Sequence, residues 1–226
     1  MAPEALVVPL AFARAETKVS NSRFIASLDY IDSVEAAKAF IARIRGEFPD
    51  ASHNVPAFVV GGGKSRIEFC SDDGEPSGTS GKPLLAVLKG SGLGCAVLVV
   101  TRYFGGTLLG TGGLVKAYSE AGRKVLQSAP KAVLTEISRL SIELPYRLYD
   151  PFARLAAETK AAVVKSGFGE TVSLEIEIPS QRLKEFDGRL AELGAGSLKA
   201  RLGGTRIART PLGGFHGGCE SGCPVG

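Results

Sequence analysis

The chain has 226 residues, 44% hydrophobic and 22% charged, a balance that fits a folded globular protein with room for two ordinary cores and excludes a disordered or membrane composition. Its 27 basic and 23 acidic residues leave a formal net charge of +4, so bulk electrostatics does not by itself define a nucleic-acid binder. Apolar runs such as Cys95 to Val100 fall far short of the ~20 residues needed to cross a bilayer, and Met1 to Leu10 lacks the basic cluster of a secretory signal. Four scattered cysteines do not make a disulfide framework, so reduced thiols, no membrane partner and a cytoplasmic location are expected.

In chain order, a first apolar strand is predicted around Ala5 to Ala13 and a second over Ser22 to Tyr30. Asp32 followed by Glu35 predicts a reciprocally capped helix start. Apolar residues at Ala36, Ala37, Phe40, Ile41 and Ile44 then recur at three and four, which predicts an amphipathic helix over Val34 to Arg45. Val55 to Val60 and Arg66 to Cys70 read as a hairpin turning at Gly61-Gly62-Gly63. A polar loop from Ser71 to Gly81 leads into a helix near Lys82 to Lys89, then a buried strand from Cys95 to Arg102, a Gly-rich loop, and a long helix from about Thr111 to Gln127.

The pattern breaks at Pro130, which places a domain boundary there. The predicted elements that follow are a strand over Leu134 to Leu144, a helix capped by Asp150 with Pro151 at its first position and ending near Lys160, strands over Ala162 to Lys165 and Thr171 to Ile178, a helix capped by Ser180 and running through Leu193, and a last strand within Ser197 to Thr210. Strand, helix, strand, strand, helix, strand is the ferredoxin-like order. The predicted domains are therefore 1–131 and 132–210, with 211–226 as a flexible Gly-rich tail. Fold class is α+β.

Two loops carry the chemistry. Asp72, Asp73 and Glu75 put three carboxylates within four residues, beside Ser77, Thr79 and Lys82. Such a cluster serves as an acidic turn, an anchor for a partner, or a Mg²⁺ site. The segment Arg102-Tyr103-Phe104-Gly105-Gly106 through Gly110, Gly112, Gly113 and Lys116 runs from a strand end into a helix. Free backbone N–H groups and the positive helix end there suit an anion, with Arg102 and Lys116 as charge partners, or the glycines simply permit tight turns. Thr111 stands where a phosphate loop requires Lys, and Val115 where a dinucleotide fingerprint requires its third glycine, so neither motif is present.

His53 and Asn54 precede a buried strand and are candidate neighbours of the carboxylate loop. The acidic turn and the strand-to-helix turn are expected to share an exposed cleft. His216, Cys219 and Cys223 offer three soft ligands where a structural zinc site needs four, so no metal is assigned. Lys199, Arg201, Arg206 and Arg209 form the clearest basic segment, a solvated strand face or a place for phosphate contacts.

Ser22-Arg23-Phe24-Ile25, the His53-Asn54 pair, Ser71 through Thr79, and Arg102 through Tyr118 together resemble the signatures of the YigZ/IMPACT family. That resemblance implies an N-terminal domain of the ribosomal protein S5 domain 2-like type. It also implies a C-terminal ferredoxin-like domain similar to the last domain of elongation factor G. Eukaryotic relatives regulate translation under amino-acid stress through protein partners, so the implied function is a non-catalytic regulator associated with RNA, the ribosome or a translation-associated protein. No catalytic residue or cofactor is assigned. The alternative is a metal-dependent hydrolase or phosphotransferase using Asp72, Asp73 and Glu75, with His53 assisting proton transfer. Val55 stands where relatives often carry Cys, which argues against an essential cysteine there.

Overall fold

The computed structural model describes residues 6–62 and 66–212. Part of the glycine turn at 61–63 and the proposed tail from 213 on, with His216, Cys219 and Cys223, lie outside the described residues; Pro211, expected to open the tail, is the last residue of the final strand. The chain divides into two compact units, one ending at Val133 and the other starting at Leu134.

The first unit is built on an antiparallel sheet of β2 (Ala13–Val19), β3 (Ser22–Tyr30), β6 (Ala96–Tyr103), β4 (His53–Val60) and β5 (Ile67–Cys70), in that spatial order. In its central strand β6 the run Ala96 to Val100 is apolar without a break because both faces are covered. Ala96, Leu98 and Val100 face α2 (Gly81–Gly90) and α3 (Gly110–Ser128), whose Leu84, Leu88, Leu114, Ala117, Tyr118 and Val125 complete that core. Val97 and Val99 point the other way, onto Ala37, Phe40, Ile41 and Ile44 of α1 (Val34–Glu47). The period of two in the strand thus sorts one apolar run into two cores.

The single N-terminal strand expected around Ala5 to Ala13 is two strands. β1 (Val7–Pro9) pairs with the first residues of β7 (Lys131–Leu144), Val7 opposite Val133, whereas β2 forms a hairpin with β3. The helix start also shifts by one residue. Ser33, not Asp32, is the cap of α1, its Oγ accepting from the Ala36 N–H at 3.1 Å, and Asp32 accepts from the Ser33 hydroxyl. An N-cap needs extended backbone one residue before the helix, and Ser33 has it (φ −147°, ψ 164°).

In the second unit, β7, α4 (Tyr149–Thr159), β8 (Ala162–Phe168), β9 (Val172–Pro179), α5 (Leu183–Leu193) and β10 (Arg201–Pro211) follow one another, with sheet order β10-β7-β9-β8. That is the ferredoxin-like arrangement. Leu140, Ile142, Leu144, Val172, Leu174, Ile176 and Ile178 alternate onto Phe152, Leu155, Phe186 and Leu190 of the two helices. Asp150 and Ser180 do not cap as expected. A 3-10 turn at Tyr146–Leu148 precedes α4, another at Ser180–Arg182 precedes α5, and neither helix has a side-chain cap. The Ser180 hydroxyl bonds that of Ser138 instead, at 2.8 Å. β8 is an edge strand whose bulge between Val163 and Lys165, with the lysine itself, discourages further strand pairing.

Replacing Ser33 with Ala should lower stability by about 1 kcal/mol in urea denaturation, and replacing Asp32 should cost less, because only the serine satisfies an otherwise orphaned helix N–H.

Candidate functional site: a buried ion pair beneath two loops

Strand register sets the site. Arg102 of β6 lies opposite Phe24 of β3 and His53 of β4, on the face that α2 and α3 cover. An arginine there is taken out of water and must find a counter-charge. Glu75 supplies it from the acidic loop. Arg102 Nη1 donates to Glu75 Oε1 at 2.7 Å, and both side chains are buried, 6% and 3% exposed. The hydroxyl of Tyr118, fully buried on α3, donates to the same oxygen at 2.7 Å. His53 Nε2 stands 3.9 Å from it. Burial, then the bond to Glu75, push the Tyr118 hydroxyl far above the usual tyrosine range, so it stays protonated and donates. The guanidinium lies 5.5 Å from the ring centroids of both Phe24 and Phe104. Its Nε has no hydrogen-bond partner among the described residues.

The other two carboxylates work elsewhere. Asp72 accepts from the backbone N–H groups of Gly78, Ser80 and Gly81 at 2.8, 3.1 and 2.8 Å and from the Ser80 hydroxyl, and so caps α2 from a distance in sequence. Desolvation pushes its pKa up, but these four donors together outweigh it and hold the carboxyl below the ordinary aspartate value. Asp73, with a positive φ of 48°, accepts from the Asn54 N–H at 2.7 Å and pairs with Arg45 of α1, while its carbonyl meets His53 Nδ1 at 2.8 Å. Asn54 in turn accepts from the Thr101 hydroxyl at 2.7 Å.

Among the described residues no three His, Cys, Asp or Glu side chains converge as metal ligands. The alternative of a metal-dependent enzyme using Asp72, Asp73 and Glu75 finds no such ligand group among the described residues. Adjacent carboxylates repel one another, and here each is drawn to a separate set of donors. In place of the expected exposed cleft, the acidic loop meets the strand and helix that flank the second loop through the buried contacts of Glu75 with Arg102 and Tyr118.

The second loop is positioned by close backbone approach. Ser22 Oγ accepts from the Gly105 N–H at 3.2 Å and from Arg102 Nη2 at 3.5 Å. A Cβ at Gly105 would run into the backbone of Asn21 and Ser22, so only glycine fits. Tyr103 donates to Asp50 at 2.9 Å, and the Phe104 N–H to Ser52. Beyond this anchor Gly106, Leu108, Gly110 and Gly112 are exposed, Gly113 is half-buried, and α3 starts without a side-chain cap or an acidic residue in its first turn.

Of the residues singled out from sequence, Asn54, Glu75, Thr79 and Arg102 are buried, and Thr79 Oγ1 is spent on the Pro76 carbonyl. Ser77, Lys82 and Lys116 are exposed. Of the basic segment, Arg206 pairs with Glu177, which also holds Arg139. Sequence reasoning assigned no role to Tyr118, although its place with Leu114, Ala117 and Ala121 on the apolar stripe of α3 marks it as inward-facing. Nothing local in the sequence points Arg45 at Asp73.

Two α+β units, the first carrying this cluster beneath two loops, define the class. The Impact N-terminal domain model matches residues 20–126, and the domain of unknown function DUF1949 matches 142–197. The chain is 38% identical over 198 residues to IMPACT family member YigZ of Escherichia coli strain K12, covering 87% of this chain and 97% of that protein. An IMPACT family member of Haemophilus influenzae is 34% identical over 197 residues, covering 87% and 96%. The crystal structure of a hypothetical protein superposes with a TM-score of 0.59 at 38% identity, over 87% of this chain and 96% of that one. The chain belongs to the IMPACT family.

Replacing Glu75 with Ala should cost about 3–5 kcal/mol in chemical denaturation, because it strands the Arg102 charge in the core; replacing Glu75 and Arg102 together by Leu and Met should recover most of that loss.

The depressed pKa of Asp72 fixes a second outcome. Its folded value lies below its unfolded one, so its contribution to stability is fully present above the ordinary aspartate pKa and is lost as pH falls through the folded value. Asp72→Asn should therefore be less stable than the parent at neutral pH, and the gap should narrow as urea midpoints are taken from about pH 5 down to about pH 2.

Proposed function

We propose that the chain is a non-catalytic regulator of translation that docks on the ribosome through RNA phosphates. One observation carries this reading. Arg102 and Glu75 of the family signature neutralise one another inside the fold, and Asp73 is paired with Arg45 nearer the surface, so these charges are spent on structure and the reading rests on the exposed remainder of the signature. A buried, paired arginine and glutamate bear a structural charge, whereas catalysis asks for groups that reach a substrate.

The exposed part of the signature is the rim around the start of α3. The first N–H groups of a helix lack intrahelical partners, and the uncapped turn at Gly110 to Gly113 leaves them available to a phosphate oxygen. Exposed Lys116, in the same helix, and Lys82, in the first turn of α2, add positive charge. Phe104, 47% exposed, offers a ring face on which a base can stack. Family membership supports the same reading, because eukaryotic members act on translation. Arg102 enters this function by holding the loop, so its replacement would report on folding and not on ligand contact.

Co-sedimentation of the full chain with ribosomes tests this. The bound fraction should fall steeply between low and high salt. Lys82→Ala and Lys116→Ala, both at exposed sites, should each lower the salt slope by about 1 if the lysine contacts a phosphate. Absence of ribosome binding at low salt, or binding indifferent to both salt and lysines, would reject the proposal.

A further inference from the structure

On the helical side of the first unit a groove of about 600 Å³ runs between α2 and α3. Pro83, Ala86 and Val87 of α2 and Val115 and Leu126 of α3 make its apolar surface, with Val115 itself 37% exposed. Gly90 and Ser119 also line it, and such small residues leave the trough unfilled. The inward faces of both helices are committed to the sheet, so this is their outer seam.

Its charge is one-sided. Arg123 and Lys131 line the groove, no carboxylate does, and neither cation has an ion pair among the described residues.

We propose that this groove docks an amphipathic helix of a partner protein whose apolar ridge is flanked by carboxylates. An apolar trough between two helices accepts a third as anchors spaced at three and four, and the 10 residues of α2, about 15 Å long, match roughly three turns of such a helix. The unpaired cations at the rim select an acidic flank and fix its register. An RNA strand would set phosphates against the apolar surface and leave most of it unused, which disfavours nucleic acid here. This surface is independent of the ribosome-binding reading.

The test uses the full chain and a fluorescein-labelled synthetic helix of about 15 residues with leucines at helical spacing flanked by glutamates, beside a counterpart carrying lysines in their place. Fluorescence anisotropy should show the acidic peptide bound at least about 10-fold more tightly than the basic one. Val115→Glu should weaken it by a similar factor. The paired change Arg123→Glu with Lys131→Glu should reverse the preference, a gain of binding that misfolding cannot produce. Lys82→Ala and Lys116→Ala should leave peptide binding intact, which separates this surface from ribosome docking. No preference between peptides, or one that the charge reversal leaves in place, would overturn the proposal. So would concentration-dependent self-association removed by Val115→Glu, which would assign the groove to a second copy of this chain.

Discussion

A single buried oxygen organises the first unit. Glu75 Oε1 receives a proton donor from β6 through Arg102 and another from α3 through Tyr118, so strand, helix and acidic loop are tied at one point. Desolvating two charges is expensive, so the pair adds little net stability over an apolar cluster of the same volume. The ion pair supplies geometry instead. It tolerates only one placement of the loop relative to β6, because any other leaves a charge in the core without a partner.

The rest of the signature reads as support for that placement. Asp72 holds the loop to the start of α2, and Asp73 holds it to α1 and β4 through Arg45 and Asn54. Ser22 and the bare backbone of Gly105 bring the second loop against the hairpin of β2 and β3. Residues that look like reagents in the sequence thus act as fasteners. What they fasten is an exposed helix start, and a rigid presentation of backbone donors needs such over-determination.

The second unit uses the same device on a smaller scale. Glu177 accepts from Arg139 of β7 and Arg206 of β10, two cations on strands that pair with each other, and the bond to Arg206 first, then that to Arg139, holds its carboxyl below the usual range despite burial. β10 is exposed along most of its length, so this clasp contributes to its attachment where apolar packing contributes little. Of the basic run that suggests phosphate contacts, Arg206 is thus engaged as a counter-charge to Glu177.

Local chemistry determined a great deal on its own. The periods of two and three-to-four in Ser22 to Tyr30, Val34 to Arg45, Cys95 to Arg102 and Thr111 to Gln127 gave strands and helices whose ends lie within a few residues of those observed, because burying an apolar face is a demand each segment makes by itself. The ferredoxin-like order of the second unit was legible for the same reason. Helix caps at Asp150 and Ser180 were misread, since a 3-10 turn and a hydroxyl pair compete for the same groups. Only the tertiary structure decided that Arg102, Glu75 and Tyr118 share one oxygen, that Arg45 reaches Asp73, and that three neighbouring carboxylates part company. Those contacts join residues 27 to 43 positions apart, and sheet register and helix docking bring them together without leaving a trace in sequence spacing.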